Sequence, residues 1–525
     1  MALTQITTDL ITDNAVTAGK IATGAVTADK LAAGAAGFPR GHIAGLTVSN
    51  NGTTPTTDLD FAAGTCRDRA YSWAFATDTG SSLTSTFVAY WKLDEATGIR
   101  KDSYGWYDFV PLRNGPTSAA GKSGAAASFA SASSQHLLQI PNTNLLTSGD
   151  HSFAGWVYIT SLTGDAQYFV QTRGATAYEN IPYQQSSARF EYTYTDTAGN
   201  IQTAVANTFG APSTGTWYFI VCKYLASSKV GSISVNNGAF DSGSALPNAL
   251  STDNVLMGLG ANLNTSTFNP DATLNGRMDE WGLWHKTLSS QEITDLYASG
   301  NGQTLTETIS DSANLTCAAQ TAKRLSSAWS AGSSGGLLDT GSIAASKTYH
   351  LFAIQKADGT QDYVASLNPK KPTLPSGYLY YRRIRSVRTN GSSQVVAETQ
   401  VGHAVYYPDN ALDVNVTNPG ALAVARTLSS PTGIVTDVFI SVFHAMSTGN
   451  STRISSLNQN DEAVSGNNAT TASVVASSQL GVGLLRTQLT RSGQLRSRLN
   501  SSGAGDEFRI ATVGYSDPDI LGAGR

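Results

Sequence analysis

Ser232-Ile233-Ser234-Val235-Asn236 alternates apolar and polar residues strictly and then meets Gly238 through Asn237. A period of two buries one face of a strand and wets the other, and Asn-Gly supplies the positive φ of a tight reversal. Asp437-Val438-Phe439-Ile440-Ser441-Val442-Phe443 reads as another strand, and Phe508-Arg509-Ile510-Ala511-Thr512-Val513 as a last one. Short strands broken by Gly-rich turns fit two-sheet sandwiches. Only 14% of the residues are charged, against a usual ~25%. That scarcity, beside abundant Ala, Ser, Thr, Asn and Gly, argues against charge-laced helical bundles. The chain is therefore expected to be all-β. Its 525 residues suggest three or four compact units at roughly 150 residues each.

The charge balance, 34 Lys+Arg against 38 Asp+Glu, leaves no basic excess to neutralise phosphates, so nucleic acid is excluded as a general partner. No run approaches the ~18–20 apolar residues of a membrane span. The start, Met1-Ala2-Leu3-Thr4-Gln5, has neither the cationic opening nor the apolar core of a signal peptide. Cys66, Cys222 and Cys317 are too few for a disulfide framework. Synthesis in a reducing cytoplasm is expected.

The first segment repeats with period ten. Ile11-Thr12-Asp13-Asn14-Ala15-Val16-Thr17-Ala18-Gly19-Lys20 is followed by Ile21-Ala22-Thr23-Gly24-Ala25-Val26-Thr27-Ala28-Asp29-Lys30 and a half copy. Two such units cannot bury an apolar face alone, since a repeat leans on its neighbours. The decapeptide resembles those at the N-termini of bacteriophage tail fibres. In that family it lies near the attachment to the tail, and the fibres are homotrimers. Residues Pro39–Asn51 and Asp58–Asp68 resemble the opening of tail-fibre domains of phages and prophages. Their continuation resumes downstream in Asp311–Thr316, Thr321–Leu325, Gly335–Gly341, Tyr349–Ile354 and Gly377–Ile384.

Between these fragments lies different material. It opens with Val88-Ala89-Tyr90-Trp91-Lys92-Leu93-Asp94-Glu95, continues through His151–Ile159 and Gly215–Val221, and closes with Leu274–Trp284. A short helix follows, with Ser289 as N-cap and Glu292 at capping-box spacing. This order resembles the laminin-G-like, concanavalin A-type jelly roll. The resemblance implies that the opening strand near Val88–Leu93 lies beside the closing strand near Asp279–Trp284. The expected organisation is a tail-attachment repeat at 1–37, a discontinuous β-rich tail-fibre domain at 38–84 and 303–420, a jelly-roll insert at 85–302 and a β-rich C-terminal unit at 421–525. In that last unit, Leu485–Leu489 and Gln494–Leu499 flank a Ser492-Gly493 turn.

Carboxylates are the first candidates for chemistry. Glycan hydrolysis uses two carboxyl groups about 5–10 Å apart. No Glu-x-Asp-x-Glu strand occurs in the insert, and adjacent Asp279 and Glu280 point to opposite faces of a strand. The expectation is no enzyme and no catalytic residue. Asp339-Thr340-Gly341 mimics an aspartic-protease loop, but no second copy occurs in a matching apolar context. None of the seven histidines has metalloprotease spacing, and His350 reads as a packed core residue.

Sugar binding needs ring faces and hydrogen-bonding side chains. Tyr178 and Tyr183, in the stretch Tyr178–Gln185, supply the former, with Arg189, Tyr192 and Tyr194 following on a strand and Trp106 with Tyr107 as another pair. Packing against a neighbouring copy is the alternative for Tyr178 and Tyr183. Trp91, Trp156, Trp217 and Trp281 read as core. Laminin-G-like domains often carry calcium, and Asp102 and Asp279 are the positions this resemblance points to, with no cofactor otherwise required.

The combined expectation is a homotrimeric virion tail fibre made in the bacterial host cytoplasm. Through its N-terminus it would join other tail or baseplate proteins, and through its insert it would hold bacterial surface polysaccharide, without membrane insertion. The alternatives are a glycan-degrading tail spike and a purely structural tail component.

Overall fold

The computed structural model describes residues 41–520, except 77, 79–82, 113, 140–144, 146, 174–176, 252–255, 264–269, 446–451, 465–480, 501, 502 and 504. The decapeptide repeat lies outside the described residues. The fold is all-β, with a single α-helix, Ser290–Tyr297, among the described residues. No described helix is long and apolar enough to cross a membrane.

Strands from the two sides of the insert share sheets. Asp58–Phe61 pairs antiparallel with Gln320–Ala328, in a sheet that continues through Gly336–Leu338, Gln361–Ser366, Thr348–Lys356 and Tyr378–Arg388. Gly64–Arg67 lies between Ile43–Gly45 and Asn314–Cys317. Leu59, Phe61, Leu325, Leu351, Tyr363 and Ile384 form its core, where the Phe61 ring stacks on Tyr363 at 4.2 Å. Cys66 and Cys317 are buried thiols in that core; the neighbouring Cys317 and burial together push the Cys66 thiol up. His350 is buried too, its Nδ1 2.8 Å from Ser386 Oγ. Burial pushes its pKa well down, as suits a packed neutral histidine.

The chain leaves this unit along Ala70–Ala74 and returns along Thr306–Ser310, paired from Ala74↔Thr306 to Ala70↔Ser310. Between them lies a jelly roll of two sheets. The first runs Asp241–Ser242, Val230–Val235, Trp217–Leu225, His151–Ile159, Gly276–Trp284, Ala125–Phe129 and Thr117–Ala120, with Phe87–Trp91 also pairing with Gly276–Trp284. Opening and closing strands are thus neighbours, Trp91 opposite Trp281. The second runs Ile201–Val205, Arg189–Thr195, Ala177–Gln184, Ala166–Arg173, Leu256–Leu259 and Leu137–Gln139.

The first sheet is covered on both faces at its centre, which explains why His151–Ile159 and Trp217–Leu225 read as nearly continuous apolar runs and why Ser232 and Ser234 of the alternating strand are buried too. Phe153, Val157 and Ile159 point at the second sheet. Ala154 and Trp156 point away, onto Phe219, Trp284 and the helix residues Ile293 and Leu296. Ser289 caps that helix: its hydroxyl accepts from Glu292 N at 3.3 Å, and Glu292 Oε2 accepts from Ser289 N at 2.9 Å.

Gly155 sits where the Trp281 indole crosses its strand, so a Cβ there would overlap the ring. Gly155→Ala is expected to lower stability by about 1–3 kcal/mol through overpacking, read as a lower urea midpoint. Unchanged stability would mean that Trp281 is not wedged against this backbone.

The C-terminal unit is a second sandwich. Thr399–Val401, Ala404–Thr417, Glu507–Ser516, Asp437–Ala445 and Gly481–Gln488 make one sheet, and Val424–Thr427, Gln494–Leu499 and Thr452–Ser455 the other. Two expectations change here. Ala404–Thr417, expected from sequence in the preceding unit, pairs with the C-terminal strand Glu507–Ser516, and Thr399–Val401 pairs with Ala404–Tyr406. The Ser492-Gly493 turn closes with Gly493 N donating to Thr490 O at 2.9 Å, but its flanking strands enter different sheets. It is a corner between layers and not a hairpin, because Leu485 and Leu495 approach one core from opposite sides.

The jelly roll docks on this unit. Ile99, Val110, Leu112 and Leu138 meet Leu457 in an apolar seam. Arg496 is buried beside it and donates to the carbonyls of Leu112 (3.1 Å), Pro111 (2.7 Å) and Gln459 (2.9 Å). Arg491 donates to Asp102 O at 3.0 Å and to Asp108 Oδ1 at 3.2 Å.

Candidate functional site

The strand Arg189–Thr195 alternates polar and aromatic residues, and the alternation decides which side chains can meet a ligand. Phe190, Tyr192 and Tyr194 face the jelly-roll core. Glu191 and Thr193, at the intervening positions, lie on the other face. Across the sheet Thr193 opposes Asn180 on one side and Thr203 on the other, while Glu191 opposes Val205. Thr193 Oγ1 and Thr203 Oγ1 are 3.2 Å apart, and Ser187 Oγ donates to Glu191 Oε1 at 2.7 Å. Asn180, Glu191, Thr193 and Thr203 thus form a row of amide, carboxylate and hydroxyl groups over three adjacent strands. Such a row offers both donors and acceptors, the pairing that fixes sugar hydroxyls.

Most of the aromatic residues chosen from sequence lie elsewhere. Tyr183, Tyr192, Tyr194 and Tyr107 are at most 4% exposed and belong to the core. Their rings fill the space between the sheets, so they present no face to a sugar. Tyr194 OH donates to Ser244 O at 2.7 Å. Trp106 is half-buried, packed against the same core and stacked on Tyr107 at 5.1 Å. Arg189 is half-buried, with Nη1 donating to Ala188 O at 3.0 Å. Tyr178 lies on the strand Ala177–Gln184 opposite Thr172; its side chain is outside the described residues. The Asn180, Thr193 and Thr203 row was legible in the alternation itself, had the polar positions been weighed instead of the rings.

Beneath the row lies a buried polar cluster. His151 Nε2 is 2.7 Å from Glu179 Oε1, and Tyr192 OH donates to the same oxygen. All three are at most 1% exposed. A carboxylate so placed is oriented by its neighbours but reaches no substrate.

The two carboxylates proposed for calcium are arranged for other partners. Asp102 Oδ1 accepts from Tyr90 N (2.9 Å) and Tyr104 N (3.0 Å), and Oδ2 from Tyr107 N (3.0 Å). Three N–H donors occupy the positions that a cation would need. Asp279 Oδ2 accepts from Lys122 N at 2.6 Å and Ser123 N at 2.9 Å. Burial, reinforced by Glu280 and Asp94, pushes its pKa up to about 8, and Oδ1 is buried with no hydrogen-bond partner among the described residues. No cluster of three or more His, Cys, Asp or Glu that could hold a metal occurs among the described residues. Asp102, with its donors in place, does not fit a calcium site, and Asp279 lies in no such cluster.

Residues 132–294 match the family model of the concanavalin A-like lectin/glucanases superfamily. No curated protein sequence matches the chain. Among solved structures, domain 4 of AbnA, a GH43 extracellular arabinanase from Geobacillus stearothermophilus in complex with arabinotriose, is 20% identical, with a TM-score of 0.33 over 40% of this chain and 97% of that one. A Trypanosoma rangeli sialidase is 12% identical, with a TM-score of 0.31 over 42% of this chain and 33% of its own length. The CBM40 of a Ruminococcus gnavus IT-sialidase bound to sialyllactose is 10% identical, with a TM-score of 0.25 over 28% and 82%. The family match and the two-sheet core agree: the insert contains a jelly roll of the concanavalin A-like class.

Proposed function

We propose that this chain is a receptor-binding tail fibre of a tailed bacteriophage or prophage, and that its jelly roll holds bacterial surface glycan without cleaving it. The observation that carries the reading is the match of residues 132–294 to the concanavalin A-like lectin/glucanases superfamily. The decapeptide repeat and the tail-fibre fragments on both sides of the insert support a virion tail location and a homotrimer. Burial of Glu179, Asp279 and Glu280 favours adhesion over hydrolysis. Three jelly rolls on one fibre would turn weak sites into firm attachment through effective concentration. Half-buried Glu191 and Thr203, flanked by the buried Asn180 and Thr193, replace the tyrosines as the proposed contact surface.

The test uses the purified full chain against a panel of bacterial capsule and O-antigen polysaccharides. Binding to one of them is expected to weaken about tenfold in an Asn180→Ala/Thr203→Ala variant, the scale of one or two lost hydrogen bonds. Unchanged binding by that variant would move the contact surface elsewhere, and shortening of the polymer would replace adhesion by the tail-spike reading. A monomeric mass in solution would remove the fibre assignment.

A further inference from the structure

Where the three units meet, a cleft of about 440 Å³ opens, a size typical of small-ligand sites. Its wall takes Arg69 and Tyr71 from the segment that leads towards the jelly roll, Lys101 from the jelly roll, Lys370, Arg382 and Arg383 from the discontinuous unit, and Arg491 from the C-terminal unit. Glu307 and Asp519 are the acidic side chains in that lining.

Pairing does not exhaust the positive charge. Lys370 Nζ meets Glu307 Oε2 at 2.7 Å, Arg383 pairs with Asp517 and with Asp519 at 3.1 Å, and Arg491 meets Asp108 at 3.2 Å. Arg69, Lys101 and Arg382 have no ion pair among the described residues, although Arg69 and Arg382 lie close enough to the Asp519 carboxyl to hold its pKa down. Arg382 is the telling one. Its residue is 3% exposed; Nη2 donates to the Asp519 carbonyl at 3.0 Å, and Nε has no hydrogen-bond partner among the described residues. A buried guanidinium with an unused donor carries an unrecovered desolvation cost, which an oxyanion would offset. Burial lowers the pKa of both Arg382 and Lys370, and neighbouring cations lower them further: Arg69 and Arg383 for the former, Arg491 for the latter. The cleft is therefore electropositive beyond any single side chain.

Its remaining wall is suited to a sugar ring. Tyr71 is half-buried with Arg69 5.5 Å and Lys370 5.6 Å from its ring centre, and Pro369 and Pro518 add apolar surface. Asn458 and Gln488 bring amides.

We infer that this junction cleft binds an acidic monosaccharide unit, its carboxylate or phosphate held by Arg382, Arg69 and Lys101 and its ring against Tyr71. The site is separate from the outer face of the jelly roll and does not depend on glycan binding there.

Calorimetric titration of the full chain with D-glucuronate, glucose 6-phosphate, glucose and inorganic phosphate tests it. At least one of the acidic sugars is expected to bind, more weakly as salt rises, while glucose does not. Arg69→Gln and Lys101→Gln, which alter side chains that are not fully buried, should each weaken that binding at least threefold without shifting thermal unfolding. Arg382→Gln should weaken it at least tenfold; should that variant fail to fold, the other two still decide. Glucose binding as well as its acidic counterparts, or no binding by either acidic sugar, would overturn the proposal. Inorganic phosphate binding as tightly as glucose 6-phosphate would overturn its assignment to a saccharide.

Discussion

Asp102→Ala is expected to destabilise the protein by about 2–5 kcal/mol, because two buried backbone N–H groups and a half-buried third lose their acceptor at roughly 1–3 kcal/mol for each buried one, partly offset by relaxation. The carboxylate ties the opening strand, through Tyr90 N, to the turn that carries Tyr104 and Tyr107. Burial pushes its pKa up, and the N–H groups of Tyr90, Tyr107 and Gly105 pull the other way. Asp102→Asn keeps one acceptor oxygen but turns an NH₂ towards one of those donors, so it should fall between Ala and the parent. Urea unfolding orders the three proteins. Amide exchange should quicken at Tyr90, Tyr104 and Tyr107 first. A loss below about 1 kcal/mol for Asp102→Ala would show that this turn holds without its carboxylate hub.

The second large effect is a loss of stability as pH rises. Asp279 and Glu280 follow one another at a bulge, where Glu280 takes a φ of 51° and the pairing register with His151–Ile159 shifts. Both residues are buried there. Burial, with Asp94 adding to it, pushes each up to about 8, from ordinary values of 3.8 and 4.5. The folded protein therefore holds protons that the unfolded chain has released above pH ~4–5. Stability from these groups is full below the unfolded values and is lost as pH climbs through 8. Between pH 6 and 8 the loss is about 2 kcal/mol for each group that titrates on its own, and the pair will release its protons in two coupled steps. Asp279→Asn/Glu280→Gln should flatten this slope and be the more stable protein at pH 8. A parent stability that is level from pH 6 to 8 would contradict the assignment.

The fold was legible where one physical signal acted alone. The capping box at Ser289 and Glu292 needed only local spacing. The neighbouring opening and closing strands, Trp91 opposite Trp281, followed from resemblance to a known topology. The candidate site was less legible, since an aromatic residue on a strand serves a core and a sugar site equally well. At Arg189–Thr195 the period of two carried the answer: three rings at even positions cannot face water while Phe190 anchors the core. Asp102 failed differently. Its environment is three backbone donors from residues 90, 104 and 107, and no residue-type pattern reports where main-chain N–H groups point. The place of Ala404–Thr417 in the C-terminal sheet is illegible for a similar reason: strand partners about a hundred residues apart leave no local trace.

The paired strands Ala70–Ala74 and Thr306–Ser310 also have a mechanical meaning. Both have one end in the discontinuous unit and the other in the jelly roll. A pull on the jelly roll therefore stretches the two in the same sense. It neither shears nor peels the hydrogen bonds between them, and the load passes along two covalent backbones. The seam with the C-terminal unit, where Leu457, Arg491 and Arg496 hold on through side chains alone, is expected to yield first. A jelly roll torn from that seam would remain on a double tether a few residues long, at an effective concentration high enough to dock again once the tension falls.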